Sequence, residues 1–474
     1  MAEWTKADLC IVGAGSAGLS IAAGAAQMGA RTVLIERGLM GGDCLNFGCV
    51  PSKSLLAAAK AATVWRSGAA FGVDGAAPKV DWARVRAHMQ EVIASIAPHD
   101  SAERFEGLGV RVIRAEARFT GPEELVAGGI AVRARRFVIA TGSEPLVPPI
   151  PGLEQAPILT NETIFGIEAL PQHLLVLGGG PIGAELAQAF RRLGAEVTLI
   201  EAARLLPKDD EEAAALVRAS LAGDGVRIQE GAKAIGAERD GSGVALTIER
   251  QGREERIAGS HLLVAVGRRP TVAGLNLEAA GVAFDNKGIR VDERLRTSNH
   301  RIFAAGDVAG GPQFTHMAGH HAGVVIRNAL FGIPAKVEAK AVPWVTYTDP
   351  ELAQVGLTEA AAREQGQDPA VLRSSYEESD RARAERAGAG FVKVIASRRG
   401  EVLGATIVGR GAGELILPWV LAMQNGIGLK SMAKAIAPYP TLSEIGKRAA
   451  GSFFTPRLFG AGTRRVVRLL QRLP

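Results

Sequence analysis

Two of the three cysteines in this 474-residue sequence stand five positions apart, in Gly41-Gly-Asp-Cys44-Leu-Asn-Phe-Gly-Cys49-Val-Pro-Ser-Lys53. They are the residues whose type and spacing most directly promise chemistry. The stretch that follows, Ser54-Leu-Leu-Ala-Ala-Ala-Lys-Ala-Ala, is rich in helix formers, and Pro51 suits a first helical turn. Cys49 therefore falls at or beside a helix N-terminus, where the positive end of the peptide dipole favours a thiolate. Free cysteines commonly end as small buried hydrophobes. The flanking glycines and the helix start argue instead for a reactive pair. Cys10 is the opposite case, since it lies inside the apolar strand Leu9 to Val12 and reads as inert packing. Three cysteines are too few for a secreted disulfide framework, so a reducing compartment is expected.

Two glycine-rich turns frame the second set of candidates. Residues 7 to 12 run into Gly13-Ala-Gly15-Ser-Ala-Gly18, then an alanine-rich helix, then the strand Thr32-Val-Leu-Ile-Glu36. The device recurs as the strand His173 to Leu177, Gly178-Gly-Gly180-Pro-Ile-Gly183, a helix over Ala184 to Leu193, and the strand Glu196 to Glu201. In such a unit the first glycine permits the tight turn, the second lets backbone approach a pyrophosphate, and the third allows helix to pack on strand. The phosphates then rest on the helix N-terminus. A carboxylate closing the second strand suits a ribose 2′-hydroxyl, and Glu36 and Glu201 both stand there. One such turn is weak evidence; two with correctly placed strands, helices and acids imply two bound dinucleotides. Glu201 would repel the 2′-phosphate of NADP, which favours NAD, with Arg204 nearby keeping NADP open.

These motifs need several domains to hold them, because a single hydrophobic core stops growing near roughly 250 to 300 residues. Pro145, Pro148, Pro149 and Pro151 place one boundary near residue 150. The second unit closes near Ala265-Val-Gly267-Arg-Arg-Pro270, and another break falls around Pro343. Beyond it, the segments 390–396 and 402–408 read as neighbouring strands and Gly413 to Asn425 as a helix. The expected architecture is α/β, with two Rossmann-like dinucleotide-binding domains and an α+β C-terminal domain. The formal charge is +6, yet Lys447 to Pro474 alone holds seven basic residues and no acidic one, which leaves the remainder at −1. A nearly neutral body argues against a nucleic-acid-binding groove. No apolar run of about 18 residues and no signal-peptide core is present, so a cytoplasmic protein is expected.

The thirteen residues from Gly41 to Lys53 resemble the active-site signature of the pyridine nucleotide-disulfide oxidoreductase family, which includes lipoamide dehydrogenase, glutathione reductase and mercuric reductase. The resemblance extends over essentially the whole chain. It implies an FAD-binding domain in 1–150 and 271–345, an NAD(P)-binding domain in 151–270, and a homodimer interface domain in 346–474. It implies further that Cys49 lies against the flavin as a thiolate and that Cys44 is the interchange thiol that meets the acceptor. Lys53 would sit near flavin N5, paired with Glu185. Asp307, in Arg301-Ile-Phe-Ala-Ala-Gly306-Asp307, would hold the ribityl chain, with Gln313, Phe314, Thr315 and His316 near the ring. Gly13, Gly15, Ser16, Ala17, Gly18, Glu36, Arg37, Gly42, Asp43, Ala117, Thr141 and Gly142 complete the implied FAD set. Gly178, Gly180, Pro181, Ile182, Gly183, Glu201 and Gly267 form the NAD set. No resident metal site is read.

The sequence departs from the family pattern in two places. Asp43 stands where many members carry Thr, and a carboxylate there calls for a compensating partner that the sequence does not name. Thiol-processing members carry a catalytic His before a Pro-Thr pair, with a Glu to orient it, to shuttle the thiol proton. Here the segment reads Ala437-Pro-Tyr439-Pro-Thr-Leu-Ser-Glu444, and no histidine follows His321. The reference pKa of Tyr lies about 3.5 units above that of His, or roughly 4.8 kcal/mol, so Tyr439 suits hydrogen bonding or metal contact better than base catalysis. Tyr in this place resembles mercuric-reductase-like members, although their C-terminal cysteine pair is missing here and their N-terminal metal-binding domain is expected to be missing too. The function expected is therefore hydride transfer from NADH through FAD and the Cys44–Cys49 disulfide to a disulfide or metal-ion acceptor. Dihydrolipoamide dehydrogenase is one alternative and a non-enzymatic, membrane-docked redox sensor the other. In the tail, Val466, Leu469, Leu470 and Leu473 keep helical spacing opposite arginines. This reads as a terminal helix covering the third domain, ahead of peripheral contact with an anionic membrane.

Overall fold

The computed structural model describes residues 3–76 and 78–472. The chain forms two compact units, one of Met1–Gly178, Ala189–Ile200 and Ala232–Glu338, the other of Gly179–Gln188, Glu201–Gly231 and Ala339–Pro474.

In the first unit, β1 (Glu3–Val12) lies at the middle of a seven-stranded sheet. It pairs in parallel with β2 (Thr32–Glu36) on one side and with Ile130–Ile139 on the other. Strand side chains alternate between faces, so Leu9 and Ile11 enter one apolar cluster while Cys10 and Val12 enter another. A strand buried on both faces belongs in a parallel, helix-covered sheet. Helix α1 (Ser16–Gln27) packs Leu19, Ile21, Ala22 and Ala25 on the first cluster. Cys10 is fully buried, which drives its thiol pKa up. A second parallel sheet joins Glu196–Glu201, His173–Leu177, His261–Val264 and Ile158–Leu159.

Between β2 and the rest of the sheet come the short α2 (Gly42–Asn46) and the long α3 (Cys49–Arg66). The helix of the second glycine unit begins at Pro181, three residues before the expected Ala184, because proline's fixed φ suits a first turn.

The second unit is built on an antiparallel sheet in the order Pro343–Thr346, Glu351–Gly356, Val402–Gly409, Phe391–Ala396, Ala370–Ser375. The strands read near 390–396 and 402–408 are thus true neighbours. The single helix expected over Gly413 to Asn425 is instead two, Ala412–Leu415 and Leu417–Gln424. Pro418 has no N–H to give the carbonyl of Glu414, so the ladder breaks there. Trp419, Val420, Met423, Ile445 and Ala449 cover the sheet. The terminal helix Ala461–Leu470 forms at the expected spacing, but none of its residues is buried, so the expectation that it covers this domain is not met. Leu473 lies outside the described residues. No described helix is long and apolar enough to cross a membrane.

A buried ion pair ties the sheet of the second unit to its helix Glu211–Gly223. Lys393 Nζ donates to both oxygens of Asp210 at 3.0 Å and reaches Glu212 at 2.8 Å, with the Lys393 side chain 7% exposed. Burial opposes the ammonium charge, but the bonds to Glu212 and Asp210 outweigh it and raise the lysine pKa. Removing one partner of a buried pair strands the other charge at a cost of about 3 kcal/mol or more. Lys393→Met is therefore expected to lower the unfolding free energy obtained from a chemical denaturation titration by that amount; a change below about 1 kcal/mol would contradict this reading of the pair.

Candidate active site

The cysteine segment is held where it is by glycines. Gly42 has φ +60°, and a Cβ on it would sit 2.6 Å from the Cα of Gly15 in the first glycine turn. The two loops thus touch backbone to backbone. Gly48 has the same role within the segment, since a Cβ there would lie 2.8 Å from Asp43 Oδ2 and 3.3 Å from the Cα of Cys44. Asn46 ties the short α2 to its entry by donating to the carbonyls of Gly42 (2.8 Å) and Met40 (3.0 Å). Cys49 then opens α3, as its position before Pro51 requires.

The two thiols are free and hydrogen-bonded to each other. Thr315, at the start of helix Thr315–Ile326, lies 3.5 Å from Cys49 Sγ through its Oγ1 and bonds Cys44 as well. The pair divides its protons unequally. The Cys49 pKa is drawn down to about 6, first by the hydrogen bond from Cys44, then by Thr315 and the charge of Lys53, against burial and the charge of Asp43. The Cys44 pKa rises, chiefly because that thiol donates to Cys49 and is desolvated. Near neutral pH, Cys49 carries the thiolate and Cys44 the proton.

Asp43 finds the partner its sequence context calls for. Arg268 lies 3.1 Å from its Oδ1, and Asn161 Nδ2 donates to the same oxygen at 3.0 Å. The Arg268 guanidinium also donates to Asn161 Oδ1 (3.1 Å), Ser143 Oγ (2.8 Å) and the Ser143 carbonyl (2.8 Å). Ser143 Oγ in turn donates to Asp307 Oδ2 at 2.6 Å. Burial raises the pKa of Asp307, while Ser143 and Arg268 act the other way. A continuous polar chain thus links the residue before Cys44 to Asp307. The turn that presents Asp307 is fixed by His321, whose Nδ1 accepts the Gly306 N–H at 3.1 Å. Burial brings the His321 pKa down to about 4, so the ring is neutral and able to accept. Arg268, Asn161, Ser143 and His321 carry no local signal that sequence reasoning could have used; packing brings them in.

The first glycine turn fits a dinucleotide diphosphate. Gly13 (φ +105°) and Gly18 leave no room for side chains, since a Cβ would meet the Ala140 carbonyl at 2.3 Å and the Gly13 carbonyl at 1.8 Å, respectively. The N-terminus of α1, with Ser16, Ala17 and Gly18, has neither a side-chain cap nor an acid in its first turn, so its donors are left for an anion. Glu36 accepts the Ala14 and Gly38 N–H groups, each at 2.6 Å. Arg37 is exposed beside it, and Ala117 is buried at the start of its strand. Thr141 Oγ1 donates to the Thr271 carbonyl (2.7 Å), and Gly142 has φ +69°. Phe314 and His316 stack with centroids 5.1 Å apart, and Gln313 precedes them.

The second turn repeats the device. Gly178 has φ +113°, and Glu201 accepts the N–H groups of Gly179 (2.6 Å) and Ala203 (2.8 Å). Pro181 and Ile182 are exposed at the helix start, Gly180 is half-buried and Gly183 is buried. Gly267 has φ +137°. Arg204 gives its guanidinium to four backbone carbonyls, those of Leu205, Leu206, Pro207 and Asp209, at 2.7 to 3.3 Å. Glu185 in the second unit is buried and accepts the Tyr347 N–H at 2.9 Å. Lys53 lies one turn after Cys49 on α3, in the first unit.

Tyr439 is 68% exposed, and its hydroxyl donates to Asp380 Oδ2 at 2.9 Å. That bond, with the charges of Asp380 and Glu444, raises the phenol pKa, which takes Tyr439 further from base chemistry. Glu444 sits in the first turn of helix Ser443–Ser452 and is half-buried. The partner of Tyr439 is thus Asp380, which the sequence did not single out.

In the FAD-loaded, reduced protein, the alkylation rate of Cys49 by iodoacetamide is expected to rise with pH through a midpoint near 6. The sign follows from the lowered pKa, since thiolate is present above the midpoint and lost below it. Thr315→Val is expected to move that midpoint upward, because the valine cannot bond the sulfur. A midpoint near the ordinary thiol value of about 8.5 in the unmodified protein would contradict the arrangement.

Residues 7–322 match the family described as "Pyridine nucleotide-disulphide oxidoreductase", and residues 342–450 match its dimerisation domain. A mercuric reductase of Streptomyces lividans is 37% identical over 457 residues, covering 95% of this chain and 96% of that protein. A dihydrolipoyl dehydrogenase of Thermus scotoductus is 39% identical over 444 residues, covering 92% and 95%. Among solved structures, the Cu(II) complex of the HOCl-induced flavoprotein disulfide reductase RclA of Escherichia coli aligns with a TM-score of 0.83 at 30% identity, covering 93% of this chain and 98% of that one. The chain belongs to the pyridine nucleotide-disulphide oxidoreductase family and is an NAD(P)H-dependent flavoprotein oxidoreductase that uses FAD.

Proposed function

We propose that this protein is an NADH-linked reductase that passes two electrons through the Cys44–Cys49 pair to a soft metal ion or a disulfide, with chemistry nearer the mercuric reductases than the lipoamide dehydrogenases. The observation that carries this reading is Tyr439, which stands where thiol-processing relatives keep a histidine and whose hydroxyl is committed to Asp380. Turnover of an organic dithiol needs a base near pH 7 to take and return the thiol proton. A soft cation lowers the pKa of the thiol it binds, so the Cys44 proton can leave to water without a dedicated base.

Bound FAD supplies the two-electron relay between nicotinamide and disulfide. The roles proposed for the chain's own groups follow from the geometry and the family resemblance. Cys49 keeps the thiolate next to the flavin, stabilised by Cys44, Thr315 and Lys53. Cys44 meets the acceptor. The first glycine turn with Glu36 and the Ser143–Asp307 pair hold FAD, together with Arg37, Gly42, Ala117, Thr141, Gly142 and the segment Gln313 to His316. Lys53 and Glu185 act where the nicotinamide delivers its hydride. The second turn, Gly178 to Gly183, with Glu201 and Gly267, takes NADH; with Arg204 spent on backbone carbonyls, no free guanidinium at that position favours NADPH. The dimerisation-domain match supports a homodimer; by the family resemblance, Tyr439 and Glu444 would serve the partner's cysteines. We assign the enzyme to the cytoplasm on its cysteine usage.

Dihydrolipoamide oxidation remains the second reading, favoured by the 39% identity to the Thermus scotoductus dihydrolipoyl dehydrogenase. An NADH-driven screen of purified, FAD-loaded protein against Hg(II), Cu(II), quinones, glutathione disulfide and lipoamide separates the two. Reduction of a metal ion that falls about 100-fold or more in Cys44→Ser is expected. Oxidation of dihydrolipoamide by NAD at the rate of ordinary lipoamide dehydrogenases would overturn the ordering, and acceptors still reduced by Cys44→Ser draw electrons from flavin directly.

A further inference from the structure

The dimerisation-domain match stops at residue 450. Phe453 and Phe454 still pack against the core of the second unit. Past them, among the described residues, no large apolar side chain is buried. In the helix Ala461–Leu470, Val466 is 55% exposed, Val467 45%, Leu469 65% and Leu470 57%, and Leu458 and Phe459 just before it are 56% and 62% exposed. A hydrogen bond from Thr463 Oγ1 to the Arg457 carbonyl (2.9 Å) sets the helix against the preceding turn.

With 3.6 residues per turn, Val466, Val467, Leu469 and Leu470 share one side of this helix, and Arg464, Arg465, Arg468 and the following Arg472 share the other. A ten-residue helix is marginal in water without a surface to pack on. This one presents an apolar stripe that its own chain leaves uncovered, so an occupant is required. Charge selects which. From Lys447 onward there are seven basic residues and no acidic one. A second copy of the same segment laid stripe to stripe would cover the leucines but would give the arginines of neither helix a counter-charge. An acidic lipid surface meets both demands, taking the apolar stripe at the acyl boundary while the arginines reach headgroup phosphates. At about 15 Å long, the helix reaches roughly half the hydrocarbon thickness, so it would lie along the surface rather than cross it.

We propose that the segment from Leu458 to Leu470 docks this reductase reversibly on membranes rich in acidic phospholipid. Binding through one short helix is weak, and two tails on a dimer add avidity. Association is electrostatic in part, so it weakens with salt.

The test uses the full-length, FAD-loaded protein and sedimentation with vesicles of phosphatidylcholine alone or with one-third phosphatidylglycerol. The expected result is co-sedimentation with the acidic vesicles at low salt, about tenfold weaker on neutral vesicles. The same loss is expected for Leu469→Glu/Leu470→Glu and for Arg464→Gln/Arg465→Gln/Arg468→Gln. Both variants alter exposed side chains, so NADH-driven dye reduction is expected to match the unmodified protein and to report an intact fold. Equal sedimentation of the unmodified and Leu469→Glu/Leu470→Glu proteins, or none by either, overturns the proposal. So does a halving of mass in light scattering for Leu469→Glu/Leu470→Glu, which would assign the stripe to a contact between two copies of the chain.

Discussion

Two sulfurs share a proton, and the chemistry of the protein depends on which one keeps it. Cys44 donates to Cys49, and Thr315 touches both, so the negative charge settles on Cys49 at the start of α3. The helix dipole and the Lys53 ammonium add to the same bias. An electron-rich sulfur and a protonated neighbour have different tasks: the first suits contact with an electron acceptor inside the protein, the second suits an acceptor arriving from outside. The structure makes that division before any substrate binds.

Backbone proximity is what makes the division useful. Because Gly42 and Gly15 approach too closely for a Cβ, the cysteine segment is pinned to the first nucleotide-binding turn rather than merely near it in sequence. The polar chain from Asp43 through Arg268 and Ser143 to Asp307 fastens the same segment a second time. A carboxylate next to a redox cysteine would oppose a thiolate if left alone. Paired with the Arg268 charge and hydrogen-bonded by Asn161, Asp43 becomes part of the scaffold, and its remaining field still works against ionisation of Cys49.

Much of this was legible in the sequence, and the legible part shares a physical origin. The glycine turns, Glu36, Glu201 and the cysteine pair act within single strand–turn–helix units, where steric and dipolar demands write themselves into local spacing. Their supporting residues act across more than a hundred positions, as Arg268 does with Asp43 and Ser143 with Asp307, and nothing near them announces the contact. Asp380 as the partner of Tyr439 is of the same kind, since Glu444 was the nearer acid in sequence. The break before Pro418 was readable from proline's missing donor, which reading Gly413 to Asn425 as one helix did not take into account. The tail shows the converse limit: its amphipathic spacing was plain, while the side that would cover it depended on whether the chain folded back, and it does not.

The electronic contact between the Cys49 sulfur and bound flavin is the claim on which the functional account stands. Anaerobic reduction of the FAD-loaded protein by one equivalent of NADH, followed by its absorption spectrum, tests it most directly. The account predicts that the unmodified protein gains a long-wavelength thiolate-to-flavin band that fades as pH falls through about 6 and that Cys49→Ser lacks it, whereas Cys44→Ser, with no disulfide to take the electrons, shows the band before NADH is added and loses it when the flavin itself is reduced. A reduced protein without that band, or one in which Cys49→Ser retains it, would contradict the account.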